Sequence, residues 1–299
     1  MLPKYPQFKP LAIDDLPEIT KRLNEYLPSI CELSPSNLII WQDFDRPQVA
    51  LLNDNLCILI CAINGESFFL EPIGKHALKE TVKTCLEYCK KLSHLSEYFL
   101  KGIDVSAYKV KCLRNQFDYI YGVQKLAELR GRRFDGKRNH IKSFKKRHPN
   151  YEFLPLDIND KSDALMLFER WFGAKKEISP LPQLAYSSQI NALSRAFDNY
   201  NVLGLRGAKV IVYNKLAAFI IGSRLNNNTI TVHFQYTDPD FRGVSQILLW
   251  EACCRTFNSY KFINLEQDLG IAGIRKAKLS YYPDKLEKKY EVTLSPRCA

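Results

Sequence analysis

Two stretches of this chain repeat one plan, and that repeat limits the folds open to it. Residues 49–74, VALLNDNLCILICAINGESFFLEPIG, read as three strands joined by tight turns at Asn53-Asp54-Asn55 and Asn64-Gly65. A helix is predicted over 76–92, with Leu78, Val82, Cys85, Leu86 and Cys89 on one face, and a strand over 98–105. Residues 209–238, KVIVYNKLAAFIIGSRLNNNTITVHFQYTD, again read as three strands, with turns at Tyr213-Asn214-Lys215 and 225–228. A helix over 244–257 and a strand over 261–265 follow. A helix pair precedes each array, 14–27 with 35–42 and 161–173 with 186–198. The expected fold is mixed α/β in two similar halves, each with its own antiparallel strands.

At 299 residues the chain is long for a single core. The partition read from the pattern is a first half over 1–125, a basic connecting helix over 126–150 and a second half over 151–299. A composition of 46% hydrophobic and 25% charged residues is that of a globular protein rather than a disordered one. Nine cysteines lie at no framework spacing, without a CxxC and without a histidine pair at zinc-ligand spacing. They read as reduced thiols, so no metal is expected and a reducing, cytoplasmic compartment is. The opening MLPKYPQFKP has no apolar stretch of the signal-peptide kind. The longest apolar run, Leu56 to Ile63, is far short of the ~20 residues that span a bilayer. A soluble chain is expected, with a peripheral place at the inner membrane surface as an option.

The formal net charge is +11, and the cations cluster. From Arg130 to Arg147 there are nine Lys/Arg and one acidic residue, Asp135. A concentration of this kind suits phosphates. Taken as a helix from Asp135, the run places Phe134, Arg138, Ile141 and Lys145 on one stripe. Arg138 and Lys145 then either snorkel at the stripe's edge or reach a bound anion; Lys142, Lys146 and Arg147 lie on the outer face. Near the other end, NLEQDLGIAGIRKAKLSYYP (264–283) sets Glu266, Asp268, Arg275, Lys276, Lys278, Tyr281 and Tyr282 around two glycines. Charges of both signs beside glycines suggest a pocket.

These segments carry a resemblance. The runs GRRFDGKRNHIKSFKK (131–146), TVHFQYTDPDFRG (231–243) and NLEQDLGIAGIRKAKLSYYP (264–283) are similar to the phosphatidylglycerol lysyltransferase C-terminal-domain family, over nearly the whole chain. The resemblance implies a tandem pair of GNAT-like, acetyltransferase-like folds around a shared cleft, related to the Fem peptidyltransferases. It also implies transfer of an aminoacyl group from charged tRNA. The acceptor stays open between a lipid headgroup, a peptide and another amine or hydroxyl.

Such a transfer uses an ester that is already activated, so no cofactor is expected, with aminoacyl-tRNA as the co-substrate. The enzyme must orient ester and acceptor, stabilise an oxyanion and give the acceptor's proton a route. Arg138, Lys142 and Lys145 are candidates for the tRNA end. Asp268 or Glu266 could hold the α-ammonium. Arg275 or Lys278 could serve the oxyanion. Asp268 or His233 could take the proton. Against these roles, Asp268 could cap the helix that begins near Ile271, and His233 could face solvent. Arg242-Gly243 precedes a helix and could bind an anion or simply turn the chain. The alternative enzyme is an acyl-CoA-dependent N-acyltransferase, whose pyrophosphate turn reads (Arg/Gln)-x-x-Gly-x-(Gly/Ala). Here Arg242 starts that pattern, but Ser245 and Ile247 replace its small residues. A non-enzymatic RNA-binding or effector protein would suit the basic helix alone.

Overall fold

The computed structural model of the chain describes residues 1–178 and 183–295. The chain divides into two compact units. One comprises residues 1–119, 266–276 and 285–299, and the other 120–265 and 277–284. The division is therefore not linear in sequence. The basic helix, expected as a connector over 126–150, lies inside the second unit, and two segments from the end of the chain belong to the first.

The first unit is built on a seven-stranded sheet in the order Lys9–Pro10, Gln48–Leu52, Asn55–Cys61, Ser67–Phe69, Lys91–Ser96, Lys289–Leu294 and Tyr108–Cys112. The first hairpin turns at Asn53 and Asp54, with φ of 50° and 60°. Two successive left-handed residues match the twist of paired strands, which is why an Asn-Asp pair serves there. The helix Leu78–Cys89 buries Val82, Cys85 and Leu86 against Cys57, Leu59, Phe69 and Leu92. The chain then returns as Lys91–Ser96, parallel to Ser67–Phe69. The strand expected over 98–105 is displaced to 91–96. Ser96 Oγ accepts the Phe99 amide at 3.1 Å and starts the short helix Glu97–Lys101, so the β-prone Tyr98 and Phe99 are helical.

The second unit repeats the order. Arg206–Val212, Lys215–Arg224 and Thr229–Thr237 are antiparallel neighbours. Tyr213 and Asn214, at φ of 52° and 58°, make the same kind of turn as Asn53-Asp54. The helix Val244–Glu251 follows, and Phe262–Asn264 pairs parallel with Thr229–Thr237. Residues 120–122 extend this sheet beyond Phe262–Asn264, and Glu152–Leu156 closes its other side. Lys215–Arg224 is buried along nearly its whole length, as its unbroken apolar run requires. The fold class is thus mixed α/β in two halves with one order of elements.

Candidate active site

Asp268 organises the first unit's part of the signature segment. Its side chain is fully buried. Arg275 reaches it twice, Nε to Oδ2 at 2.8 Å and Nη2 to Oδ1 at 2.9 Å. Arg114 Nη1 donates to Oδ2 at 3.2 Å, the Tyr119 hydroxyl to Oδ2 at 2.5 Å and the Gly270 amide to Oδ1 at 2.8 Å. Burial alone would raise this carboxyl, but Arg275, Tyr119 and the Gly270 amide outweigh it and hold it well below the usual carboxylate range. Asp268 also caps the turn, since its carbonyl accepts the Ile271 amide at 2.9 Å. Gly270 is required here: it sits at φ 78°, and a Cβ would stand 2.9 Å from Asn115 Nδ2.

The result is two guanidiniums fixed by one carboxylate. Asn115 Oδ1 accepts a further bond from Arg275 Nη2 at 2.8 Å. The Arg275 and Arg114 side chains remain 33% and 38% exposed, so each keeps a face toward solvent. Arg114, Asn115 and Tyr119 did not stand out in the sequence, because nothing local links them to a carboxylate 154 residues away. Glu266 stands at φ 56°, and its carbonyl accepts the Tyr119 amide at 3.3 Å.

A second cluster of the first unit lies deeper. Lys289 is fully buried, and its Nζ lies 2.7 Å from Asp118 Oδ1 and 2.6 Å from Glu32 Oε2. Gln267 Nε2 donates to Glu32 Oε1 at 2.8 Å and to Cys31 Sγ at 2.9 Å. The Cys31 amide donates to Asp118 Oδ2 at 2.8 Å. Burial opposes the Lys289 charge, but the Asp118 and Glu32 carboxylates prevail and raise its affinity for the proton. Burial also raises Glu32, while Lys289 and His94 lower it further and keep it ionised. Burial pushes the Cys31 thiol up, and Asp118 and Glu32 add to the rise, so it is no thiolate nucleophile. Ligand atoms of Cys31, Glu32 and Asp118 lie within 4.8 Å of one another, a metal-like grouping. The Lys289 ammonium already stands among these atoms, 2.6 Å from Glu32 Oε2, 2.7 Å from Asp118 Oδ1 and 3.5 Å from Cys31 Sγ.

In the second unit, the basic helix Asp135–Arg147 buries Ile141 and Phe144, with Phe134 buried just ahead of it. Arg138 bonds the carbonyls of Leu129 and Gly131 and pairs with Asp135. Lys145 Nζ sits 4.2 Å from the centre of the Trp250 ring and 4.0 Å from Glu251. Lys142 and Lys146 are exposed. Lys278 Nζ donates to the Leu265 carbonyl at 2.5 Å. His233 is buried, against the option of a solvent-facing side chain, and its Nε2 is 2.8 Å from Ser223 Oγ. Arg242 is exposed, and its carbonyl accepts Arg147. Gly243, at φ 94°, starts the helix Val244–Glu251, and a Cβ there would stand 3.1 Å from the His140 carbonyl.

Within this unit the two segments that stood out in the sequence touch. Lys137 Nζ donates to Ser280 Oγ at 2.6 Å and lies 3.8 Å from the centre of the Tyr281 ring. Arg133 stands over the Tyr282 ring at 5.3 Å, and Phe134 meets that ring edge-on at 5.6 Å. The structure thus places Asp268, Arg275 and Glu266 in the first unit. Arg138, Lys142, Lys145, His233, Arg242, Gly243 and Lys278 are in the second.

Residues 24–293 match the family described as phosphatidylglycerol lysyltransferase, C-terminal. A crystal structure of a conserved protein of unknown function from Bacteroides thetaiotaomicron is similar at 30% identity and a TM-score of 0.88, covering 99% of this chain and 100% of that one. The fold is also shared with a C-terminal domain of lysylphosphatidylglycerol-synthetase type from Agrobacterium fabrum, at 13% identity and TM-score 0.66, covering 95% of this chain and 92% of that one. It is shared as well with L-PGS from Bacillus licheniformis, at 14% identity and TM-score 0.63, covering 94% and 92%. An uncharacterised Mycoplasmoides gallisepticum protein, MYCGA3080, is 26% identical over 202 residues, which are 64% of this chain and 63% of that relative's length. The match across 24–293 takes in both units, and the chain belongs to the phosphatidylglycerol lysyltransferase C-terminal-domain family.

Proposed function

We propose that the chain is an acyltransferase that moves an amino acid from aminoacyl-tRNA to an amine or hydroxyl acceptor. The observation that carries this reading is the family match across both units. The basic helix supports it, because Lys142 and Lys146 are exposed one turn apart and available to a phosphate backbone. Asp268, saturated by five donors and ionised, is a positioning group in this reading rather than a proton acceptor. It fixes Arg275 and Arg114 so that their solvent-facing N–H groups meet an oxyanion or phosphate without reorganising. Lysine is the first amino acid to try, given the family's name.

The CoA-dependent reading is disfavoured by Ser245 and Ile247 in the turn after Arg242, where a pyrophosphate cradle needs small residues. The test is to feed each labelled amino acid to cells with and without the protein and to compare their lipids, peptides and proteins by mass spectrometry. A protein-dependent aminoacylated product is expected. An acylated product carrying no amino acid would instead establish the CoA reading.

A further inference from the structure

Cys31 and Lys289 meet inside the first unit. Lys289 Nζ is 3.5 Å from Cys31 Sγ, although 258 residues separate the two along the chain. Both residues are fully buried. Two carboxylates touch both atoms. Asp118 Oδ1 lies 3.4 Å from the sulfur and 2.7 Å from the ammonium, and Glu32 Oε2 lies 3.5 Å and 2.6 Å away. Gln267 Nε2 donates to the sulfur at 2.9 Å. A thiol, an amine, two bases and a donor aimed at sulfur form a set equipped for bond formation between sulfur and nitrogen.

We infer that Cys31 and Lys289 are an oxidation site, at which hydrogen peroxide joins Sγ to Nζ as a sulfenamide. The sulfur attacks one peroxide oxygen. The O–O bond breaks, an S–O bond forms, and peroxide takes up the two electrons that sulfur gives in becoming a sulfenic acid. Burial keeps the resting thiol protonated, so Asp118 takes its proton only as the S–O bond forms and passes it to the departing hydroxide, which leaves as water. Lys289 then gives one proton to Glu32, and its free amine attacks the sulfur. The S–N bond forms, the S–O bond breaks, and hydroxide leaves with an amine proton as a second water.

The surrounding charges suit this outcome. Before reaction the cluster holds two carboxylates and one ammonium. Afterwards it holds one carboxylate, one carboxylic acid and a neutral nitrogen. The buried net charge is unchanged, so the loss of the ammonium does not leave two carboxylates facing each other. The inference does not depend on the aminoacyl-transfer reading.

The experiment treats the folded chain with hydrogen peroxide at a dose that oxidises the exposed Cys112, then unfolds, alkylates and digests it with trypsin for mass spectrometry. The peptides carrying Cys31 and Lys289 should be recovered joined, lighter than their sum by two hydrogens, with Cys31 alkylation and cleavage after Lys289 both lost. Dithiothreitol should separate them and restore the alkylation. Chain oxidised in urea should lack the join, because residues so distant in sequence do not meet there. Lys289→Arg keeps the positive charge without the amine, and circular dichroism checks its fold. In this variant Cys31 should stop at sulfenic acid, captured by dimedone, or go on to sulfinic acid. The inference is overturned if the folded parent keeps Cys31 as a free thiol, or carries it as sulfinic acid or in a disulfide. It is overturned equally if the join forms as readily in urea.

Discussion

Arg275 grips Asp268 through two bonds, Nε to Oδ2 at 2.8 Å and Nη2 to Oδ1 at 2.9 Å, and Arg114, Tyr119 and the Gly270 amide occupy the rest of the carboxylate. Its proton affinity is depressed, so it stabilises the fold above the unfolded value near ~3.9, and that contribution is lost as pH falls through the lower folded value. Asp268→Asn should therefore cost stability at neutral pH, on the order of 1–2 kcal/mol, since the half-exposed guanidiniums recover part of the loss from water. The gap to the parent should narrow below about pH 4. Urea denaturation across pH measures both, and a gap independent of pH would contradict the pairing.

Glu71 shows the opposite sign. It is buried, accepts Ser96 N at 2.6 Å and Tyr26 Oη at 2.9 Å, and burial pushes its carboxyl up to about 7. Between the unfolded value of about 4.3 and the folded one, the unfolded state sheds this proton and the native state keeps it, so the contribution to stability falls as pH rises. Glu71→Gln keeps a neutral side chain of the same shape. It should be more stable than the parent at pH 8, by about 1–3 kcal/mol, and near parity at pH 5.

Lys289 pairs with both Glu32 and Asp118 deep in the first unit. Lys289→Ala leaves two carboxylates and a thiol crowded together, and should cost about 3–5 kcal/mol. It also vacates the centre of the Cys31, Glu32 and Asp118 grouping. Thermal unfolding with added Zn²⁺ should then show stabilisation of Lys289→Ala but none of the parent. Equal behaviour of the two proteins would contradict the role given to the ammonium.

Binding of tRNA should fall steeply with salt. Lys142→Ala with Lys146→Ala should reduce the log–log slope by about 1.4–1.8, because each contact contributes roughly 0.7–0.9. Arg138→Ala should act more on stability, since its guanidinium is spent on the Leu129 and Gly131 carbonyls and on Asp135. An unchanged slope in the lysine pair would remove the helix from the tRNA contact.

What the sequence revealed was local. Asn53-Asp54 and Tyr213-Asn214 announced their turns because a two-residue hairpin demands residues that tolerate left-handed backbone. Phe134 and Ile141 announced the buried face of the basic helix by spacing. The strand after the first repeat was misplaced because Ser96 captures the Phe99 amide, a competition that β-propensity does not register. The Lys289 cluster was invisible because its partners are 171 and 257 residues distant, and a lysine in a strand reads as exposed until its counter-charges are known. Arg114 and Tyr119 were missed for the same reason: Asp268 defines them, and Asp268 is far along the chain.

Transfer by the purified chain is the most direct measurement. The protein is mixed with tRNA charged with labelled lysine, and in turn with each other amino acid, together with vesicles containing phosphatidylglycerol or with amine acceptors. Label should move from tRNA to one acceptor class without CoA, and Arg275→Ala should slow it by about 10²–10³-fold, the loss typical of one oxyanion donor. Label that stays on tRNA with every acceptor, while a CoA thioester is consumed in its place, would contradict aminoacyl transfer.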